Sequence, residues 1–578
     1  MRSGPRRPRR PRRSRRFLSV PLRALLLAGA LAGAAGCQAL LGIDDTRLAD
    51  AGEPDVPGFS FAVLTPDSNI VLPLDGGARM EVEIARTGGF TGAVVVQPRL
   101  AVNGLVAPAI TIDSSQTTGV LIVGAQAPLA LGDKVDFELQ ATSGPEVPGK
   151  LKMIRGARVT GKPAAFDTSF GPGASGLTPI SFGNDDDGSF YDMLLTGDQK
   201  VVVAGWGTGG LGARRFAIAR LGEDGRADTT FGNNGLVRID FESGSSGENA
   251  QAYAIGQQSD GRMIAIGSHN ATAALPPDVA LARIGLNGST GDVGFGGYRN
   301  GKARLDAGGV EVVTDGAVLS DGRILAVGAS GPQGLVMRAT TTGALDTTFA
   351  APTGYFKVAT ALRTIVNALA IDASSRIVIA GSIGADGDRD MLLIRLSADG
   401  LLDPTFGTNG RVVAGAPSSD ERATAVAVRP DGRIVVAGHG NGQGDDDFEV
   451  RQFLPTGEPD LTFGDSGVAR ARVSGNPDRA SGLLILPDGE LLIVGNSGAF
   501  SSENNPSNAT PAAVRLTKAG ALDPLFDTDG VLMNIPLGDS GVLRGVDRFD
   551  GRRVILSGGN QGGTPGPGTF GVIVRMWM

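Results

Sequence analysis

Cysteine occurs once and histidine twice in 578 residues. One thiol and two imidazoles cannot build a zinc site of four Cys/His ligands, a disulfide framework or an iron–sulfur centre, so much metal and redox chemistry is excluded. Aromatics make up 5%, with two tryptophans and four tyrosines, which leaves few platforms for stacking sugars or bases. Charged residues are only 20%, too few for a chain held open by its own charge. After the first 36 residues no apolar run is long enough to span a bilayer as a helix. No glycine-rich turn opens a helix of the kind that cradles phosphates or dinucleotides. Glycine is abundant: 89 residues, or about twice the usual share of ~7%. A chain of this length and composition should fold into more than one core, with many turns.

The opening segment carries ten arginines and no acid, and Ala24 to Gly36 (ALLLAGALAGAAG) is wholly apolar. That is the pattern of a signal peptide over residues 1–36, and thirteen residues at ~1.5 Å each fall short of a ~30 Å hydrocarbon core. The sole thiol stands in Ala34-Ala35-Gly36-Cys37, which resembles the lipobox of bacterial lipoproteins. The resemblance implies cleavage between Gly36 and Cys37, acylation of Cys37 and attachment to the membrane through lipid alone. Gln38 resembles the sorting signal of outer-membrane lipoproteins, so the expected location is the outer membrane, facing periplasm or surface. Ser14-Arg15-Arg16-Phe17-Leu18 resembles part of a twin-arginine signal, which leaves both general secretory and twin-arginine export open. Without residues 1–36 the chain has 43 basic and 60 acidic residues, net −17, with no basic stripe, and nucleic acid is not an expected partner.

Residues 37–57 lack periodicity and read as a lipidated tether. Residues 58–160 hold about seven short β-branched runs, such as GAVVVQPRL, TGVLIVGA and KVDFELQATS, divided by turn signals. Their number and length predict a β-sandwich, and the segment resembles the Ig-like modules of bacterial surface proteins. Its expected role is a spacer.

From residue 165 to 578 the chain repeats itself seven times. An Asp-x-x-Phe segment ends at Phe170, Phe231, Phe295, Phe349, Phe406, Phe463 and Phe526, with spacings of 61, 64, 54, 57, 57 and 63. A tight turn of the type SDGR or PDGR follows, degenerate as TGDQK in the first copy and ASSR in the fourth. An apolar strand then ends in Gly205, Gly267, Gly328, Gly381, Gly438, Gly495 or Gly558. A further strand carries Arg220, Arg283, Arg338, Arg395, Arg451, Arg515 or Arg575. In the second copy LVRID, AQAYAIGQ, RMIAIGS and DVALARIG read as the four strands of one sheet. Asp-Gly between the middle two suits a two-residue hairpin, since both residues tolerate positive φ. Such sheets must stack on neighbours, so the expected fold is all-β, a seven-bladed β-propeller of four-stranded blades preceded by the sandwich. The phenylalanines are expected to plug blade interfaces, and the glycines to mark close backbone approach. A β-solenoid is the alternative. The copy LDPTFGTNGRVV, with ATAVAVRPDGRIVVAGHGNGQGDDDFEVRQF after it, resembles the delta-60 repeat family, which implies the propeller and little about activity.

Four strands per blade put the Asp-Gly turns and Asp-x-x-Phe links at one end of the ring and connections of variable length at the other. The variable end collects Asp185, Asp186, Asp187, Asp386, Asp388, Asp420, Glu421, Asp445, Asp446 and Asp447, with Trp206, His269 and His439. Asp185–Asp187, Asp386, Asp388 and Asp445–Asp447 are oxygen-rich calcium candidates, though none matches EF-hand spacing and a solvated acidic rim is the expected reading. No other cofactor is indicated. The two histidines sit in separate copies without a repeated nucleophile and read as loop residues, so no catalytic residue is assigned. The expected function is non-catalytic binding or scaffolding of an envelope or extracellular protein or polymer by a monomer, through the variable end. The alternative is a propeller hydrolase or lyase acting on an extracellular polymer, which would show convergent, perturbed carboxylates or histidines on the ring axis.

Overall fold

The computed structural model describes residues 57–578 except 67–68, 182–187, 209–212, 243–248, 271–275, 298–300, 417–418, 442–444, 503–504, 538–540 and 561–570. The signal peptide, Cys37, most of the tether and Asp185, Asp186 and Asp187 lie outside the described residues. The described chain is all-β, with no α-helix, and falls into two compact bodies: 57–72 with 78–159, and 73–77 with 160–578.

The first body has two sheets. One orders Gly58–Val63, Ala78–Thr87, Thr118–Ala125 and Leu105–Val106. The other orders Val71–Pro73, Val147–Thr160, Lys134–Ser143, Val94–Pro98 and Ile110–Ile112. Strand Ala78–Thr87 shows why: Met80, Val82 and Ile84 are buried at a period of two, with charged Glu81 and Glu83 between them. Val82 and Ile84 meet Val94 and Val96 of the other sheet, with Phe59, Ile112 and Ala141, in one core.

The second body is built of four-stranded modules. Module 1 orders Gly188–Leu195, Val201–Thr208, Arg214–Leu221 and Leu236–Ile239. Module 2 follows with Asn249–Gln257, Met263–Asn270, Asp278–Ile284 and Lys302–Leu305, joined to module 1 by the single parallel pair Arg214 and Asn249. Modules 3 to 6 repeat the order, their first strands being Glu311–Val318, Thr364–Ile371, Glu421–Val428 and Asp478–Ile485. Module 7 takes three strands from the end of the chain, Gly541–Arg548, Arg553–Asn560 and Gly571–Trp577, and its fourth, Leu177–Ile180, from the front. First strands touch in succession around the body, and the seventh touches the first. Sheets stacked face to face about an axis, with the two ends of the chain sharing one sheet, form a β-propeller.

One strand assignment differs from the sequence reading. LVRID does not join AQAYAIGQ; Leu236–Ile239 pairs with Arg214–Leu221 of the preceding module. The repeat in sequence and the sheet in space are one strand out of phase, because the short Asp-x-x-Phe link folds the chain straight back onto the strand it has just left. Strand direction is unaffected, so the tight turns and links still share one end.

The recurring glycines sit opposite a β-bulge. In every module the first strand slips by one residue against the second, as between Phe190 and Asp192, Ala252 and Ala254, or Val366 and Ala368. A Cβ on Gly205, Gly267, Gly381 or Gly438 would overlap the carbonyl oxygen of Ser189, Gln251, Ile365 or Arg422 across the strand pair.

The other three sequence marks converge on one latch between modules. In module 3 Arg338 Nε meets Asp346 Oδ2 at 2.7 Å, its Cζ lies 4.7 Å over Phe349, and its Nη1 donates to Ala398 O of the next module at 2.5 Å. Arg323 of the tight turn approaches the same carboxylate at 3.6 Å. Arg220, Arg395 and Arg575 repeat this on Asp228, Asp403 and Asp167, each at 2.8 Å, and Arg575 closes the ring by reaching Glu223 O of module 1. Lys200, in the degenerate first turn, still reaches Asp228 at 3.1 Å. In the fifth copy the latch residue is Gln452, which donates to Asp460 at 2.9 Å; Arg451, marked from sequence, lies on the opposite face of the strand and pairs with Glu449. All seven phenylalanines are at most 1% exposed, each in a core shared by successive modules, for example Phe170 between modules 7 and 1 and Phe406 between 4 and 5.

Candidate functional site

The bulge residues of the first strands form a column around the axis: Tyr191, Tyr253, Thr314, Asn367, Thr424, Ser481 and Arg544. Four consecutive members tie each module to the next. Thr314 donates to Val366 O at 2.7 Å, Asn367 to Ala423 O at 2.7 Å, Thr424 to Ala480 O at 2.8 Å and Ser481 to Leu543 O at 2.7 Å.

The remaining three, in modules 7, 1 and 2, are large. Arg544 Cζ lies 5.2 Å over the Tyr191 ring, and the Tyr191 and Tyr253 rings are 4.7 Å apart. Trp206 Nε1 donates to Tyr191 Oη at 3.3 Å, Tyr253 Oη donates to Gln251 Oε1 at 3.2 Å, and exposed Arg214 lies 4.0 Å over Trp206. Burial and the neighbouring Tyr191 raise the Tyr253 phenol well above its ordinary value, so it stays a hydrogen-bond donor across the physiological range. Half of the tyrosines and one of the two tryptophans thus meet two guanidinium groups at one place, with Tyr191, Tyr253 and Arg544 on first strands, Trp206 on a second and Arg214 on a third.

Acids lie one position further along. Asp192 accepts the Ile255 amide at 2.8 Å and Asp315 accepts the Leu369 amide at 2.9 Å, each from the next module. Burial first, and then the charge of Asp315, push Asp192 up to about 8; burial pushes Asp315 up to about 6 and also raises Asp547.

Of the residues marked from sequence at the variable end, Trp206 joins this cluster, while the described acids and the two histidines are not gathered. Asp386 and Asp388 are exposed, and Asp386 pairs with Arg389. Asp445 lies 3.7 Å from Arg472, Asp446 pairs with Arg479 at 2.7 Å, and Asp447 is buried. Glu421 is not part of a rim but fully buried at the start of a first strand. The two histidines are strand residues, not loop residues, because the second strand continues three residues past Gly267 and two past Gly438. His269 is buried and stacks on Phe241 at 4.8 Å. His439 is held neutral by burial and by the charges of Arg479, Arg422 and Arg389. The axial cluster escaped the sequence reading, although aligning the copies on their glycines puts Tyr191, Tyr253 and Arg544 in one column.

Four segments, residues 196–231, 319–349, 373–406 and 429–463, match the family model described as "Domain of unknown function (DUF5122) beta-propeller". These are β-propeller repeats. Each matched segment runs from the tight turn of a module to the phenylalanine of its latch, in modules 1, 3, 4 and 5. No curated protein matches the sequence. Among solved structures, the propeller is similar to a protein of unknown function from Dyadobacter fermentans DSM 18053, at 13% identity over 70% of this chain and 99% of that one, with a TM-score of 0.36. It is also similar to YCF48 bound to D1 peptide, at 11% identity over 72% and 99% with TM-score 0.36. Polysaccharide lyase Uly1 matches at 10% identity over 71% and 92% with TM-score 0.38.

Proposed function

We propose that the chain is an exported, lipid-anchored envelope protein in which an Ig-like sandwich (58–160) precedes a seven-bladed propeller (165–578) of delta-60 type, and that the propeller binds an anionic saccharide chain of the envelope or its surroundings. Anchoring rests on Ala34-Ala35-Gly36-Cys37 at the end of the apolar run. The blade number rests on the seven modules whose first strands touch in succession.

The observation that carries the binding role is the break in the bulge column. Four positions hold short side chains spent on fastening one module to the next, while three consecutive ones hold Arg544, Tyr191 and Tyr253, with Trp206 and Arg214 beside them. Aromatic faces suit the apolar faces of sugar rings, and guanidinium groups pair with carboxylate or sulfate in a fork. The test is full-length protein in detergent on an array of uronate-bearing, sulfated and neutral oligosaccharides. Wild type should retain the charged sugars and Tyr191→Ala should lose them; no retention, or retention unchanged in the variant, removes the reading.

A second reading, a hydrolase or lyase, is favoured by Asp192 and Asp315 alone. With values of about 8 and about 6, one is protonated and the other ionised at neutral pH, the division of labour that acid/base chemistry needs. New reducing ends or unsaturated products from the same oligosaccharides, lost in Asp192→Asn, would establish it.

A further inference from the structure

Three carboxylates at the ends of three strands come together where module 2 meets module 3, apart from the axial cluster. Asp278 opens the third strand of module 2, Asp306 follows its fourth strand and Glu311 opens the first strand of module 3. One oxygen of each lies within 4.8 Å of the others. The chain is braced around them: the Glu311 amide donates to Pro277 O at 2.9 Å and the Gly308 amide to Asp306 Oδ1 at 2.5 Å.

The second observation is Glu311 itself. It is fully buried; Ser330 Oγ donates to its Oε1 at 2.9 Å, while its Oε2 has no hydrogen-bond partner. A buried carboxylate oxygen with nothing to accept from costs stability, and few such atoms survive in native proteins. Arg304 pairs with Asp278 Oδ2 at 2.5 Å, inside the group, and so neutralises one of the three carboxylates, whereas Lys357 donates to Ala307 O at 2.8 Å. Glu421 and Asp478 open their first strands in the same way and also carry one unpartnered oxygen, yet their surroundings differ. Arg451 lies 3.6 Å from Glu421, and the amides of Val473 and Ser474 donate to Asp478 at 2.7 and 3.1 Å. Among the described residues no ion pair reaches Glu311.

We propose that Asp278, Asp306 and Glu311 form a calcium site that fastens module 2 to module 3. All three donors are oxygens, the preference of a hard cation, and no histidine or cysteine is in the group. Two oxygens on opposite sides of a calcium ion at ~2.4 Å are ~4.8 Å apart, so one ion spans the group. The ion would satisfy Glu311 Oε2 and relieve the repulsion that Asp306 and Asp278 add to its burial. The site is independent of the proposed saccharide ligand.

The test is calorimetric titration of chelator-treated, full-length protein in detergent with calcium chloride alone. Asp306 is exposed, so Asp306→Asn leaves the fold intact; Glu311→Gln removes the buried charge, and Asp386→Asn serves as control. Saturable binding in wild type and the control, weakened at least ~10-fold in Asp306→Asn and Glu311→Gln, is the expected result. No binding in wild type, or an Asp306→Asn isotherm that superimposes on wild type, overturns the proposal, and the acids then share a proton or calcium sits elsewhere.

Discussion

Replacing Arg338 by methionine tests the latch where it is most buried. Arg338 is fully buried; it holds Asp346, Thr348 Oγ1 at 3.1 Å and the Ala398 carbonyl, and covers Phe349. Burial works to raise the Asp346 pKa, but the Thr348 hydroxyl and amide and the Arg338 charge outweigh it and hold it below the usual carboxylate range. Methionine fills much of the volume and leaves that carboxylate with Arg323 at 3.6 Å as its nearest cation. Removing one partner of a buried pair costs about 3–5 kcal/mol, and the residual Arg323 contact puts the expected loss near the lower end. The second arm is Arg338→Met with Asp346→Asn. Asparagine keeps an oxygen for the Thr348 amide and removes the stranded charge, so the double variant should recover at least ~1 kcal/mol relative to additivity. Urea unfolding followed by circular dichroism and tryptophan fluorescence reads both. Acid adds a check: a lowered carboxylate contributes fully above its unfolded value and is lost as pH falls through the folded one, so wild type should lose more stability below pH ~4 than the single variant. A loss under ~1 kcal/mol, or strict additivity, would refute the latch.

Gly381→Ala should destabilise by at least ~2 kcal/mol, because its Cβ would overlap Ile365 O with no side chain free to yield; an unfolding midpoint equal to wild type would contradict the bulge geometry. Asp192 binds its proton more tightly when folded, so wild type should lose stability as pH rises from ~4 towards 8, and Asp192→Asn should flatten that slope while keeping an acceptor for Ile255. Melting temperatures from pH 5 to 9 decide it, and parallel curves for the two proteins would remove the claim that Asp192 is protonated at neutral pH.

The propeller was legible because its physics repeats. Asp346, Arg323, Arg338 and Phe349 recur in sequence since the module interfaces reuse the same buried latch, seated on the same ring, with Gln452 in place of the arginine in the fifth copy. Features that depend on register were harder to read. The strand Leu236–Ile239 pairs backwards, which no periodicity reveals, and Arg451 and Gln452 look interchangeable until strand alternation turns them to opposite faces. The axial cluster needs the bulge: an extra residue on one strand sends Tyr191 and Tyr253 where an unbulged count places another residue. Asp278, Asp306 and Glu311 lie at the ends of three strands and share no motif, whereas the described adjacent aspartates, conspicuous in sequence, are paired with arginine, exposed or, for Asp447, buried at the start of a strand.

Ring closure is the claim on which the modules, the latch at Asp167 and the axial column all depend. It is tested by placing cysteines at Pro179 and Val572, which face each other across the seam strands, with Cys37 replaced by serine. Mild oxidation should link the two quantitatively, so that a single proteolytic cut between them leaves one covalently joined product. Failure to link, while a control pair within module 4 such as Thr364 and Ile383 links readily, would mean that the front strand does not close the last sheet.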